Sequence, residues 1–336
     1  MRAWSLTDGT SDFEDSCLAV VESVADRVER RRVSPRALWR FLPRWAPIDP
    51  REAPERGAGP IAPRSGDPWP ELIVAAGARS ARYLARAKKA SEGRSLAVFL
   101  GSGAPSNADL VVTLDHEVPG PTGSLSVAVP PHRIDPVRLL AARGGPPPVT
   151  RAGTGPLIGV LIGEGPGRRG MTAEDLARLA AGLARARSDG ATIAIRAPRT
   201  VGKDALVALR AVAHYIWDGE GPDPKLALMA HADALVTAAT SARIVSESLA
   251  AGTVVHAFVP TTAPTSVCSL VSSLARRGHL QPFTGMVECG RAPVLDSTRE
   301  IARAIDAMIS TRAVLRPGAE MRAPRRQRET NGPTSR

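Results

Sequence analysis

"HADALVTAATSARIVSESLAAGTVVHAFVP", residues 231–260, decides how this chain is read. The apolar run "DALVTAA" ends in a polar turn, residues 242–251 carry helical spacing, and a second apolar run, "TVVHAFV", follows. Strand, turn, helix, strand is a βαβ unit, and its strands must be parallel because the helix carries the chain back across the sheet. Thr240, Ser241, Ser246 and Glu247 fall in the turn and the first helical turns. Ligands of open α/β sheets bind at that place, outside the carboxyl ends of the strands.

The pattern extends in both directions. Upstream, "LIGVLIGE" from Leu157 is a strand and "GEGPGRRG", residues 163–170, a Gly-rich turn. Thr172 is placed to cap the helix "AEDLARLAAGLARARS", because its hydroxyl can accept an orphan amide bond. "ATIAIRAP" and "HYIWDG" are further strands, "DPKLALMAHA" is a helix, and helices over 265–277 and 298–308 close this half. The first half repeats the alternation. "RAWSL" is a strand, residues 14–30 have helical spacing, and "RRVSP" reads as a second strand. "ELIVAAG" and "ARSARYLARAKKA" form a strand and helix, and "SLAVFLGS", "ADLVVTLDH" and "SLSVAVPP" are three more strands. Continuous apolar strands between Ala-rich helices indicate parallel sheets covered on both faces. The stretch "AARGGPPPVTRAGTGP", residues 141–156, is a linker by composition. The expected fold is α/β, two doubly wound Rossmann-like domains facing each other across a cleft. Residues 1–145 make the first, residues 156–315 the second, and residues 316–336 a basic, disordered tail.

Composition agrees with two domains. The chain has 336 residues, 43% hydrophobic but only 4% aromatic, so its cores are built from Ala, Val, Leu and Ile. No apolar run reaches the roughly 18 residues of a membrane span, and the opening "MRAWSLTDG" lacks the layout of a signal peptide, so a cytoplasmic protein is expected. Cys17, Cys268 and Cys289 are widely spaced and form no metal pattern. The formal charge is +11, but the tail alone holds six Arg against two Glu. Such a tail suits peripheral contact with the anionic inner membrane, or is a solvated end without consequence. With so few aromatics among the basic residues, nucleic-acid binding is not expected.

The loops narrow the chemistry. Glycines at residues 163–170 let backbone amides approach an anion, although a Gly-rich turn can also be only a tight turn. A G-x-G-x-x-G fingerprint with its acidic partner is not met, and no P-loop occurs, which disfavours NAD enzymes, kinases and ATPases. Around Thr240, helix amides suit a diphosphate, and Glu247 suits the vicinal hydroxyls of a ribose. Read alone, Glu247 is equally a solvent-facing helical residue.

Several motifs together resemble a known family. "DPWPELIVAAGARSA" carries Pro68, Trp69, Pro70, Leu72, Ile73, Gly77 and Arg79; "LDHE" carries His116 and Glu117; and "LIGEGP", "HADALVTAATSARIVSESLAAGTVV" and "QPFTG" follow in order. The chain is similar to the mitochondrial-fission ELM-like family, whose bacterial members are taken as GT-B-type glycosyltransferases. It departs from that pattern in three places. "GTSDFEDS" lacks a His and an Asn-Gln pair, "RAPRTV" keeps Arg199 and Thr200 but has Pro198 for an Arg, and Ala239 and Ile244 replace an Asp and a Met.

The resemblance implies transfer of a sugar from a nucleotide-sugar donor to a cell-envelope glycan or lipid acceptor, inverting or retaining, with no cofactor and no obligatory metal. It implies a donor pocket of Gly163, Gly165, Arg199, Thr200, Thr240, Ser241, Ser246 and Glu247, with Arg199 on the diphosphate. His116, oriented by Asp115 or Glu117, is the candidate base, although a lone His at a strand end is more often structural or merely exposed. Asp8, Gly9, Gly77 and Arg79 are the acceptor-side candidates. Two alternatives stand beside this: a nucleotide-sugar epimerase, and a non-catalytic partner-recruiting scaffold, the role the plant members imply.

Overall fold

The computed structural model describes residues 1–315 apart from 44–45, 58, 65, 118, 164–169 and 203–205. The first half runs β1 (Arg2–Thr7), α1 (Ser11–Val24), β2 (Arg27–Arg32), α2 (Ala37–Arg40), β3 (Leu72–Ala76), α3 (Ala78–Ala90), β4 (Leu96–Leu100), β5 (Leu110–Leu114) and β6 (Leu125–Val127). After α4 (Pro136–Arg143) come β7 (Leu157–Ile162), α5 (Ala173–Ser188), β8 (Thr192–Arg196), α6 (Val207–Val212), β9 (Tyr215–Trp217), α7 (Lys225–His231) and β10 (Ala234–Ala238). The described residues end with α8 (Ala242–Leu249), β11 (Val254–Phe258), α9 (Thr265–Arg276), β12 (Gln281–Pro282) and α10 (Ser297–Leu315).

The strands form two six-stranded parallel sheets, ordered β2-β1-β3-β4-β5-β6 and β12-β11-β10-β7-β8-β9. The interior strands explain themselves: "LIVAA", "LAVFL" and "LIGVLI" are buried at every residue, as parallel strands covered on both faces must be. Each sheet reverses its winding once, between β1 and β3 and between β7 and β10. The two crevices that such reversals leave at the carboxyl ends are where this architecture places ligands.

Two expectations about boundaries need correction. The helix expected over 14–30 stops at Val24, and the second strand is "RVERRR", ahead of "RRVSP". An edge strand has one partner and one open side, so it needs no apolar run; Glu29 bridges Arg2 at 3.1 Å and Arg31 at 2.8 Å, and Arg31 lies over the Trp4 ring. Charge along such an edge also blocks pairing with another chain.

The second correction concerns the domains. Val129, Ile134 and Leu139 pack into the core of the second sheet, so the first body ends near β6 and not at residue 145. In return α10, expected in the second domain, crosses back. Its Ile301 and Ile305 are fully buried beside Cys17, Leu18 and Val21 of α1. Sequence alone could not place α10, because an apolar stripe does not say which sheet it covers. The two crossing segments are zipped together: the His132 amide donates to Thr298 Oγ1 at 3.0 Å, Thr298 Oγ1 donates to the His132 carbonyl at 3.1 Å, and the Val129 amide donates to Ser297 Oγ at 3.4 Å.

Candidate functional site

At the second sheet's crevice, β7 runs into Gly163 and β10 into Thr240. A Cβ on Gly163 would lie 2.6 Å from Thr240 Oγ1 and 2.9 Å from Ile244 Cγ2, so only glycine lets the end of β7 meet the first turn of α8. Ser241 is the N-cap of α8, and its Oγ accepts from the Ile244 amide at 3.5 Å, a long bond. Thr240 and Ser241 are buried.

The first sheet's crevice gathers all four acceptor-side candidates. Asp8 Oδ1 accepts from the Thr10 amide at 3.2 Å and the Thr10 hydroxyl at 2.8 Å, and Asp8 Oδ2 accepts from Arg79 at 3.3 Å. Gly9 and Gly77 have φ of 83° and 88°, backbone that glycine adopts without strain. Gly77 lies against the Phe13 ring, too close for a side chain unless the ring shifts, and Gly9 lies against the movable end of the Arg32 side chain.

Between the two crevices lies a cavity of about 290 Å³. From the first half it is lined by Phe13, Val112, Leu114, His116 and Glu117, and from the second by Thr240, Ser241, Arg243 and Ser266. Ser266 lies in the first turn of α9, so two helix N-termini face this space. Among the described residues, eight buried side-chain polar atoms lack a partner in the protein, and His116 Nδ1, Glu117 Oε2 and Thr240 Oγ1 all belong to this one cavity. Buried polar atoms are nearly always paired, so three orphans on residues of one cavity single it out as the candidate site.

The remaining expected residues are placed differently. Ser246 is fully buried and donates to the Pro130 carbonyl at 2.6 Å, so its hydroxyl holds the crossing segment and does not face the cavity. Glu247 is buried too, which removes the solvent-facing alternative, and its Oε2 accepts from Lys225 Nζ at 3.0 Å. Arg199 and Thr200 are exposed on the loop after β8, away from the cavity lining, and Arg199 Nε donates to the Gly219 carbonyl at 2.7 Å. Gly165 lies outside the described residues, as do most of the Gly-rich turn and the whole 316–336 tail. Asp115 does not orient His116; it pairs with Arg277 across the two halves.

Three further residues tie together the elements around the cavity, and of these Arg243 also lines it. Arg243, in the first turn of α8, reaches Asp12 at 3.3 Å and Asp15 at 3.2 Å on α1, and lies 3.8 Å from Glu247 Oε1. Burial pushes the Asp12 carboxyl above its ordinary range, against the pull of Arg243 and with a further push from Asp15 and Glu247. Lys225 is the partner of Glu247. Arg196, at the end of β8, donates to the Ile162 carbonyl at 3.1 Å, pairs with Asp223 at 2.8 Å and lies over the Trp217 ring. No local signal marks these contacts, since Arg243 and Asp12 are 231 residues apart. Among the described residues no group of three His, Cys, Asp or Glu side chains stands together as a metal site, and no helix is long and apolar enough to cross a membrane.

The fold recurs in known proteins. MurG from Acinetobacter baumannii superposes with a TM-score of 0.51 at 12% identity, covering 92% of this chain and 90% of that one. The glycotransferase of kitacinnamycin gives 0.51 at 11%, covering 93% and 91%. At such identities the likeness shows the GT-B arrangement of two sheets and nothing of substrates. In sequence, the chain is 32% identical over 101 residues to the mitochondrial fission protein ELM1 of Arabidopsis thaliana, a match spanning 29% of this chain and 24% of that protein. Residues 13–309 match the family described as Mitochondrial fission ELM1. The chain belongs to that family.

Proposed function

We propose that the protein is a glycosyltransferase that moves a sugar from a nucleoside-diphosphate donor to an acceptor hydroxyl in the cavity between the sheets. The observation that carries this reading is the set of three orphaned buried atoms, His116 Nδ1, Glu117 Oε2 and Thr240 Oγ1, on residues that line one space from both halves of the molecule. On the donor side, the first-turn amides of α8 and the Thr240 hydroxyl offer donors to a diphosphate, and the helix dipole favours its charge. Glu247 Oε1, the oxygen not used by Lys225, is the one a ribose hydroxyl would meet. On the acceptor side, the hydroxyl oxygen bonds to the anomeric carbon while the bond from that carbon to the diphosphate oxygen breaks. The diphosphate leaves with the electron pair, and the hydroxyl proton passes to His116 Nδ1, with Glu117 stabilising the imidazolium. The ligands would then be a nucleotide sugar on the donor side and an acceptor alcohol in the cavity; membrane contact through the tail and a cytoplasmic location fit the reading without being needed by it.

A second reading has its own support. Ser246 and Arg199 are committed to internal bonds and Glu247 to an ion pair, as expected of a scaffold that recruits a partner. Calorimetry with a panel of nucleoside diphosphates and nucleotide sugars decides between them, using wild type and Thr240→Val, which removes the orphaned hydroxyl at nearly constant volume. One nucleotide should bind in the micromolar range, about tenfold more weakly in the variant. Absence of binding by the folded wild type puts the scaffold first.

A further inference from the structure

The cavity has two unlike faces. Thr240, Ser241 and Arg243 make one face polar and charged. Across from them, Leu100, Val112 and Val127 close the ends of the first sheet, Pro130 and Pro131 come from the crossing segment, and Phe13 stands at the rim, 39% exposed. Ser16 offers no hydrogen to a ligand there, because its hydroxyl already donates to the Pro131 carbonyl at 3.3 Å. Asp12 and Thr113 also line the cavity from the first half, and the polar atoms there that are buried and without a partner are His116 Nδ1 and Glu117 Oε2.

We propose that the apolar face receives the acceptor, and that the acceptor is an apolar alcohol whose carbon skeleton lies on Leu100, Val112 and Val127 with its hydroxyl turned to His116 and Glu117. The proposal rests on the glycosyl-transfer reading for the word acceptor; the apolar site itself does not depend on it. A sugar pressed on this face would strip several hydroxyls of water and give them no partner, whereas an aliphatic or aromatic skeleton gains by leaving water. An alcohol has one hydrogen to donate, and it goes to His116 Nδ1, the nitrogen that takes the proton in the transfer. A carboxylate there would meet Glu117 charge against charge. The volume, about 290 Å³, holds one small ring system or a short chain at the lower end of ordinary ligand sites.

The test is a fluorescence titration with 2-naphthol, with N-acetylglucosamine as the contrasting ligand, on the full chain. Ser266→Trp fills the mouth from an exposed position on α9, so folding tolerates it; Val112→Asn puts an amide on the apolar face, and circular dichroism checks that each variant is folded. Micromolar binding of 2-naphthol, about tenfold weaker in the folded Ser266→Trp protein, is the expected result. The proposal is overturned if 2-naphthol fails to bind up to its solubility, if N-acetylglucosamine binds in its place, or if Ser266→Trp leaves 2-naphthol binding unchanged. Binding of 2-naphthol without any nucleotide binding keeps the apolar site and removes the transferase reading. Nucleotide binding without 2-naphthol does the reverse.

Discussion

Consider the pair Lys225–Glu247, which joins α7 to α8. The contact is 3.0 Å, with the Glu247 side chain 7% exposed and the Lys225 side chain 22% exposed. Breaking a fully buried ion pair by removing one partner costs about 3–5 kcal/mol, because the other charge is left without compensation. Lys225 retains some water, and Arg243 stays 3.8 Å from the second carboxylate oxygen, so the cost here falls to about 2 kcal/mol for Glu247→Gln or Lys225→Met. Either single change leaves one charge facing a neutral group, while the double variant leaves neither, so the double should lose about 1 kcal/mol less than the sum. Urea unfolding of the four proteins at neutral pH measures that coupling, and calorimetry on the same samples separates stability from nucleotide affinity. Additivity within about 0.5 kcal/mol would refute the pair as a stabilising contact. A stable Glu247→Gln protein that loses nucleotide binding would instead assign the carboxylate to the ligand.

Gly163→Ala should cost about 1–3 kcal/mol in urea unfolding and weaken any ligand at Thr240, because the new methyl meets Thr240 and Ile244; Gly202→Ala, with nothing within 4 Å, should be close to neutral. Asp175 is fully buried. Burial raises its carboxyl, but the amide and hydroxyl of Thr261 and the capping bonds of Thr172 outweigh that and hold it below the ordinary range. Its contribution is therefore complete above the usual carboxylate value of about 4 and is lost as pH falls through the depressed one, so the gap between wild type and Asp175→Asn should narrow below about pH 4 in urea midpoints. A wild type that keeps the whole gap at pH 3 would contradict this. Cys17 is fully buried with its thiol pushed well above the ordinary value by burial and then by Glu14, whereas Cys289 is exposed. Mass spectrometry after brief iodoacetamide treatment of the native protein should find Cys289 modified and Cys17 untouched until urea is added.

What the sequence disclosed follows from what each element needs. Interior strands such as "LIVAA" and "LIGVLI" must be apolar throughout, and the turn at Thr240 must carry a cap, so both were visible in the residues themselves. Thr172 formed the expected cap, with Asp175 completing a reciprocal pair of bonds. The edge strand "RVERRR" was hidden because an edge needs no apolar run. The site was half legible. Thr240, Ser241, Gly163 and His116 stand at the cavity or against its wall, and Asp8 and Arg79 meet as an ion pair. Ser246 and Glu247 look in sequence like residues waiting for a ligand, but Pro130, far away in the chain, occupies Ser246, and Lys225 takes one of the two oxygens of Glu247. Polar side chains at a strand end advertise a site, but only the tertiary structure says which have already been taken.

The return of α10 to the first sheet has a consequence for synthesis. The apolar face of α1 around Cys17, Leu18 and Val21 is finished only by Ile301 and Ile305. At about 5–20 residues per second, roughly 10–35 s separate the emergence of β6 from that of α10 at the ribosome. Throughout that interval the first sheet carries an uncovered apolar face, while the second, whose core draws on nothing past Leu295, is completed in order. The amino-terminal half is thus made first and matures last, and a chaperone that protects this protein during translation should be found on α1.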